Sequence, residues 1–152
     1  MLHLPSGGGD EDWEWNETER YESQYNEKFE NAAHSLSKET EPSSQLALLI
    51  ELCGVLPFCS EDTVFHSLDL LSPVLVEHAK NESNPDIMLF SLRAITFVCD
   101  LHPPAAQFFL QHDFVPTLCQ RLFAIEYVDV AEQVIVAYFF SIESTLCMIY
   151  GL

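Results

Sequence analysis

The sequence has few positive charges, and this excludes several kinds of partner. Only six of its 152 residues are Lys or Arg, against 24 Asp and Glu, and the net charge is −18. Nucleic-acid phosphates repel such a chain, so we expect no nucleic-acid partner. An anionic membrane surface repels the chain for the same reason, so we expect no membrane partner. Basic protein segments remain compatible with this charge, since opposite charge steers association.

Sequence signals for catalysis or metal binding are also scarce. The sequence has no G-x-S-x-G elbow, no glycine-rich phosphate loop and no CxxC pair. Cys99 and His102 have ligand-like spacing, with His112 and Cys119 nearby, but Cys99 lies on an apolar helical stripe. A core cysteine beside a helix-end histidine explains this spacing better than zinc does. We therefore predict no catalytic residue, no metal and no cofactor.

The cysteines and the N-terminus indicate where the protein is found. The five cysteines are odd in number, and each lies in or next to an apolar helical run. A secreted disulfide framework usually has an even number at tight spacings, so a reducing compartment fits better. The N-terminus lacks a basic region followed by a long apolar stretch, and so it does not resemble a signal peptide. We expect the nucleus and/or the cytoplasm.

Residues 1–44 form an acidic segment with few aliphatic side chains. The first 45 residues carry eleven acidic residues and three basic ones. This composition predicts an arm that is mostly disordered or loosely helical. Tyr21, Tyr25 and Phe29 are spaced as one stripe of a helix. Two interpretations stay open, a solvated arm or an acidic-aromatic segment that folds on a basic partner.

The remainder of the chain contains one pattern twice, 43 positions apart. "SPVL" at 72–75 is answered by "VPTL" at 115–118, and "PDIM" at 85–88 by "VDVA" at 128–131. A helical period of ~40–47 residues is typical of armadillo and HEAT solenoids. We predict an all-α, armadillo/HEAT-like right-handed α-solenoid, with repeats at 45–133 and a divergent apolar helix at 134–152.

Capping residues and prolines predict the helix boundaries. Ser43 or Ser44 is the expected N-cap of the first repeat helix, and Ser60 that of the next. Pro85 fits the first turn of a helix. The predicted helices lie at 45–56, 60–68, 70–79, 85–101, 105–112 and 114–125, with a last one from about 130.

A partner-binding surface is predicted on the helix at 85–101. In a solenoid of this kind one layer of helices lines the concave face, and its polar positions contact the partner. Arg93, Thr96 and Asp100 are spaced to share one flank, and they are the candidate binding residues. In the alternative interpretation, Arg93 pairs with Asp86 or Asp100 on a solvated face.

The C-terminal segment 134–152 is apolar on every side. It has nearly the length of a membrane span, but it contains Glu143 and no basic anchor. The three interpretations are a helix packed on the open end of the solenoid, an ending that replaces further repeats, and a tail anchor. Because three or more repeats are usually needed for stability, we expect marginal stability or self-association through the open end.

Several motifs resemble a known family. "ELC.VL", "LSPVL", "NPDIM", "RAIT", "CDL" and "LCQRL.AIEY.DVAEQ" occur in the order found in the N-terminal armadillo repeats of plant HECT-type E3 ubiquitin-protein ligases. The thyroid-receptor-interactor ligase is the animal counterpart. The resemblance covers residues 40–133, and the chain departs from the family pattern at Val134, which suggests a truncated product.

The resemblance implies a role in protein ubiquitination. In that family the repeats recognise substrates, and a C-terminal HECT domain carries the thioester-forming cysteine. The chain has no such domain, and none of its cysteines matches the HECT motif, so we expect this chain alone to be non-catalytic. The expected partner is a protein substrate or a basic peptide. The alternatives are an autonomous adaptor for basic peptides and, less favoured, a tail-anchored membrane protein.

Overall fold

The apolar stripes at helical spacing form helices throughout the described part of the chain. The computed structural model describes residues 8–122 and 128–151, without the side chains at 8–15, 122, 128, 130, 134, 138, 141 and 144. These residues contain helices and no strand, so the all-α prediction is confirmed. The helices are α1 (Gly8–Leu36), α2 (Pro42–Val55), α3 (Glu61–Ala79), α4 (Pro85–Leu101), α5 (Ala106–Leu110), α6 (Phe114–Leu122) and α7 (Val128–Tyr150).

The helices form successive pairs that stack side by side. α1 packs on α2, α3 on α4, and α6 on α7. α4 also contacts α2 on one side and α7 on the other, so these three helices make one layer. α1 and α3 contact each other in a second layer, which α5 and α6 continue. This arrangement is a helical-repeat solenoid, in which each pair covers the apolar face of its neighbour.

The core runs without interruption between the two layers. The largest fully buried side chains include Phe29, Phe109 and Phe114, one from α1 and two from the last unit. Helix α4 is buried on most sides, because it lies between α2, α3 and α7. Its buried apolar residues are Ile87, Met88, Leu92, Ala94, Ile95, Val98 and Cys99.

Helix α3 is continuous, although two helices were predicted over residues 60–79. Pro73 lies inside it and removes one backbone hydrogen bond. Leu68, Leu71 and Leu75 are fully buried on both sides of the proline, so packing holds the helix together there. The first two units are consequently helix pairs, and the three-helix armadillo form is not confirmed.

Residues 8–36 of the arm, predicted to be mostly disordered or loosely helical, form helix α1, which packs on α2 and α3. The stripe that contains Phe29 continues through Ala32, Ala33 and Leu36, and all four are at most 3% exposed. The turn after α2 adds polar contacts to α1, because the Ser60 amide donates to Asn26 Oδ1 at 2.9 Å. Burial against α2 and α3 therefore orders a segment whose acidic composition favours solvent.

The predicted cap at Ser60 is confirmed, and the predicted serine cap of α2 is not observed. Ser60 Oγ accepts from the Thr63 amide at 3.3 Å, and Asn84 Oδ1 accepts from the Ile87 amide at 3.2 Å at the start of α4. Helix α2 begins at Pro42 with Glu41 as its N-cap and no side-chain cap bond. The prediction of a serine cap there was wrong, because proline at the first position leaves one fewer amide to satisfy.

The C-terminal segment forms the single helix α7, which packs on the end of the stack against α4, α5 and α6. Ala137 is buried there and Phe140 is partly buried. Within the described ranges, no helix combines the length and apolarity that crossing a membrane requires. The predicted end of the preceding helix at residue 125 lies outside the described residues.

Candidate protein-binding surface

One side of helix α4 remains open to solvent although the rest of the helix is buried. Its residues recur at helical spacing, four and then three positions apart. Three of them are exposed and two are half-buried. We call this surface the α4 strip, and it consists of Asp86, Phe90, Arg93, Phe97 and Asp100.

Arg93 lies against an aromatic ring at the centre of the α4 strip. Its guanidinium carbon is 5.3 Å from the centroid of the Phe90 ring, within the range of a cation–π contact. Among the described residues it forms no ion pair, so the alternative pairing with Asp86 or Asp100 is absent there. The guanidinium is thus held on the surface with its hydrogen-bond donors available to a partner.

The three predicted binding residues do not share one surface. Arg93 and Asp100 belong to the α4 strip, whereas Thr96 is only 7% exposed. The Thr96 hydroxyl lies 2.8 Å from the Arg93 carbonyl oxygen and 3.3 Å from Gln133 Oε1 on α7. Thr96 therefore joins α4 to α7, while the binding role of Arg93 and Asp100 stays a prediction.

The binding residues predicted from the sequence did not include two aromatic residues of the α4 strip. The candidate residues on this helix are Arg93, Thr96 and Asp100, and they include neither Phe90 nor Phe97. Phe97 is 39% exposed. The signal that could have separated them is their spacing from Arg93, which places all three on one stripe of the helix.

The 43-residue repeat relates the α4 strip to residues before and after it in the chain. The residues 43 positions before the α4 strip are all exposed; they are Ser43, Ala47, Ile50 and Gly54 in α2, and Pro57 in the turn after it. The α7 residues 43 positions after it are exposed or half-buried where described: Asp129, Gln133, Val136, Phe140 and Glu143. The five positions before the α4 strip are uncharged, whereas two of the five on α7, Asp129 and Glu143, are acidic.

The buried thiols are unsuited to nucleophilic chemistry. Burial raises the pKa of Cys53 to about 12, and the nearby Arg93 lowers it only in part. Burial alone raises the pKa of Cys99 to about 12. Burial, together with Glu22 and Glu30, raises the pKa of Cys59 to about 11. All three thiols are therefore protonated at neutral pH, and a protonated thiol is neither a nucleophile nor a metal ligand.

The structure places Cys99 and His102 in different surroundings. The Cys99 side chain is in the core, whereas His102 Nδ1 bonds to Glu61 at the start of α3. Across the described parts of the chain, no three metal-binding side chains converge.

Helix α1 carries a second, strongly acidic surface. It forms a shallow groove of about 630 Å³ on the outer side of the stack. The lining is polar throughout: Glu19, Glu22, Ser23, Asn26, Glu27 and Glu30. This surface is acidic and lacks the aromatic residues of the α4 strip.

The comparison with protein families agrees with this architecture. A family model described as "E3 ubiquitin-protein ligase TRIP12-like, TPR repeats" matches residues 7–141. The match extends beyond 40–133 on both sides and includes α1. Its repeats are described as TPR repeats, which are helix pairs, and α1–α2 and α3–α4 have that form.

Three curated relatives carry the same kind of name. The E3 ubiquitin-protein ligase UPL4 of Arabidopsis thaliana is 51% identical over 107 residues, covering 70% of this chain and 7% of the relative. UPL3 of the same plant is 38% identical over 112 residues, covering 73% and 6%. TRIP12 of Danio rerio is 29% identical over 111 residues, covering 72% and 5%. No solved structure matches the chain.

Proposed function

The chain belongs to the TRIP12-like family of E3 ubiquitin-protein ligases with TPR repeats, and from this premise we propose that it is a protein-binding segment. In this proposal the repeats hold a protein partner or substrate for ubiquitination. The ubiquitin transfer itself takes place on a HECT domain outside this sequence. The chain spans only 5–7% of the length of the curated relatives it matches.

The observation that carries the proposal is the composition of the α4 strip. Phe90, Arg93 and Phe97 stand together on an otherwise buried helix, and the guanidinium lies over the Phe90 ring. Aromatic residues and Arg are enriched at the centres of protein interfaces, where they contribute most of the binding energy. The exposed carboxylates of Asp86 and Asp100 at the two ends match the polar rim of such an interface.

The chemistry of the thiols supports a binding role in preference to a catalytic one. The pKa values of about 11 to 12 at Cys53, Cys59 and Cys99 oppose formation of a ubiquitin thioester at neutral pH. Nuclear and/or cytoplasmic location, where free thiols persist, belongs to the same proposal.

The experiment removes the centre of the α4 strip and measures the partners that are lost. The tagged chain and an Arg93→Glu/Phe97→Ala variant are expressed in plant cells, purified by affinity, and compared by quantitative mass spectrometry. We expect specific partners of the original chain to fall about tenfold or more, the usual effect of removing an interface centre. We also expect excess chain to lower the ubiquitination of these partners by a co-expressed full-length relative.

The matched control is a Leu70→Ala/Lys80→Glu variant on the other layer, with the same loss of an apolar side chain and the same charge reversal. Leu70 is 41% exposed, close to the 39% of Phe97. Partners that survive the α4 change, or that fall equally with the control, would contradict the proposal. If excess chain does not lower the ubiquitination of these partners, the proposed link to a ubiquitin ligase would be wrong.

The acidic groove on α1 favours a second candidate, an adaptor that binds basic peptides. Four carboxylates line this groove on a chain with only six Lys and Arg. A Glu19→Gln/Glu27→Gln variant in the same experiment separates the two functions. Loss of basic partners with this variant, and not with the α4 variant, would favour the adaptor.

A further inference from the structure

The α4 strip carries three charged side chains in a regular order. Asp86, Arg93 and Asp100 follow one another at intervals of seven residues, so the charges along the strip are negative, positive and negative. Seven residues of an α-helix span ~10.5 Å and make almost two full turns, so the three side chains leave the helix on the same side. Phe90 and Phe97 lie in the intervals between them. Charged and aromatic side chains therefore alternate along the strip.

Arg93 is an isolated cation in its layer of helices. The sequences of α2, α4 and α7 contain no other Lys, Arg or His. Arg93 is half-buried and, among the described residues, forms no ion pair, although the chain carries 24 acidic side chains. A guanidinium binds a carboxylate through strong, charge-assisted hydrogen bonds. Its unused donors therefore point to an anion that a partner supplies.

The guanidinium of Arg93 is held in position without a partner. Its carbon lies 5.3 Å from the centroid of the Phe90 ring, and Phe90 is itself packed against the core. The Cys53 thiol donates to the Phe90 carbonyl oxygen at 3.5 Å, which ties this turn of α4 to α2. Because a planar guanidinium stacked on a fixed ring loses little freedom when it binds, the entropic cost of binding an anion is small.

We propose that the α4 strip binds a protein segment with the complementary order of charge, in which an Asp or Glu side chain contacts Arg93 and flanking Lys or Arg side chains contact Asp86 and Asp100. This inference rests on the proposed function and specifies the chemistry of its partner. The three contacts act separately, because ionic screening acts over ~8 Å at physiological salt and the charges lie ~10.5 Å apart. Apolar side chains between the charges of the segment contact Phe90 and Phe97.

The order of charge selects against a uniformly basic segment, which the net charge alone would favour. At −18 the chain attracts basic segments at long range. At the strip, such a segment would place a cation against Arg93, and like charges at an interface suppress wrong partners. A segment with two basic side chains and one acidic side chain keeps a net positive charge. It is therefore steered to the chain and also satisfies Arg93.

A carboxylate suits Arg93 better than a phosphate group does. A phosphorylated side chain carries nearly two negative charges and is usually bound by a cluster of Arg side chains. Here a single guanidinium lies between the carboxylates of Asp86 and Asp100, which repel a second negative charge. The strip thus favours an Asp or Glu residue over a phosphorylated one.

The test selects peptides with the full chain from a displayed library of random ~18-residue sequences, which are long enough for two seven-residue steps. We expect enrichment of peptides with an acidic residue flanked on both sides by basic residues about 10 Å away, which is seven positions in a helix. An Asp86→Lys/Arg93→Glu/Asp100→Lys variant should enrich the opposite order. Each chain should bind its own synthetic peptides at least about tenfold more tightly than those of the other, measured by fluorescence polarisation.

The matched control is an Asp69→Lys/Glu77→Lys/Lys80→Glu variant, which makes the same kinds of charge change at exposed residues of α3. It should select the same peptides as the unaltered chain. Circular dichroism checks that both variants fold, and Arg93→Glu alone, which should weaken the selected peptides about tenfold, repeats the test with one substitution.

Uniformly basic or uncharged peptides, no enriched peptide, or the same peptides from the reversed variant would overturn the inference. If partners in plant cells depend on the α4 strip while the selected peptides lack this order of charge, the inference fails and the proposed function stands. If those partners are also unaffected by changes in the strip, the proposed function fails as well.

Discussion

The first and last helices of the stack have opposite outer surfaces. Helix α1 buries Phe29 and Leu36 beneath a polar outer side that carries the glutamates of the acidic groove. Helix α7 buries Ala137 beneath an outer side where Ile135 and Phe139 are more than half exposed. Terminal repeats of a solenoid need a polar outer face to remain soluble alone. The comparison teaches that burial orders an acidic helix whose outer side is polar, whereas α7 keeps apolar side chains exposed on its outer side.

The largest expected effect compares one phenylalanine from each of these helices. Phe29 is fully buried and Phe139 is 58% exposed. Phe29→Ala should lower the free energy of unfolding by about 3–5 kcal/mol, since it leaves a cavity in the core. Phe139→Ala should cost less than about 1 kcal/mol, because most of its side chain is already exposed. Urea unfolding followed by circular dichroism measures both values, and equal losses would remove the distinction between the two helices.

Thiol reactivity compares how accessible the cysteines beside α1 and on α7 are to a reagent in solution. Cys59 is buried beside α1, where its thiol lies 3.6 Å from the Tyr25 carbonyl oxygen, whereas Cys147 on α7 is exposed. The pKa of Cys59 is raised from 9.0 to about 11, so its thiolate fraction at pH 8 falls about 100-fold before steric protection is added.

Labelling with a maleimide at pH 8, followed by peptide mass spectrometry, should therefore show Cys147 reacting at least about 100 times faster than Cys59. Cys119, which is also exposed, serves as the internal reference. Comparable rates at Cys59 and Cys147 would mean that α1 does not cover its end of the core.

A polar contact attaches the last unit to the middle one, and its loss should have an intermediate effect. Arg121 on α6 has a side chain 4% exposed, and its Nη2 donates to Glu82 Oε1 at 2.7 Å across the units. Arg121→Ala should cost about 2 kcal/mol, through lost packing and the lost bond. Arg93→Ala, which removes a surface guanidinium, should cost less than about 1 kcal/mol. Chemical denaturation of both variants makes the comparison, and a larger loss at Arg93 would contradict it.

The smallest expected effect is a gain in stability from a substitution in α2. Gly54 lies within α2, and an added Cβ would meet no atom within 4 Å. Gly54→Ala should stabilise the chain by about 0.5–1 kcal/mol, because alanine lowers the entropy of the unfolded state. The gain should appear as a higher melting temperature with unchanged helix content. A loss of stability would contradict this prediction, because it would mean that the added methyl group clashes with neighbouring atoms.

Much of the repeat could be predicted from the sequence, because its signals are local. Asn84, Pro85 and the apolar stripe of α4 set that helix at the predicted residues. The path of α1 could not be predicted, since its acidic composition favours solvent and only contact with α2 and α3 orders it. Helical spacing likewise predicts that Thr96 shares a flank with Arg93. It could not predict that α7 covers Thr96, because helical periodicity carries no information about tertiary packing.

The most direct test of the account is site-specific photo-cross-linking of the chain to its partners in plant extract. Benzoylphenylalanine replaces either Phe97 in the α4 strip or Phe65 on α3, which are 39% and 44% exposed. The account predicts partner cross-links from position 97 that an Arg93→Glu substitution removes, and none of those partners from position 65. Cross-links to the same partners from position 65 alone would contradict the assignment of the α4 strip as the binding surface.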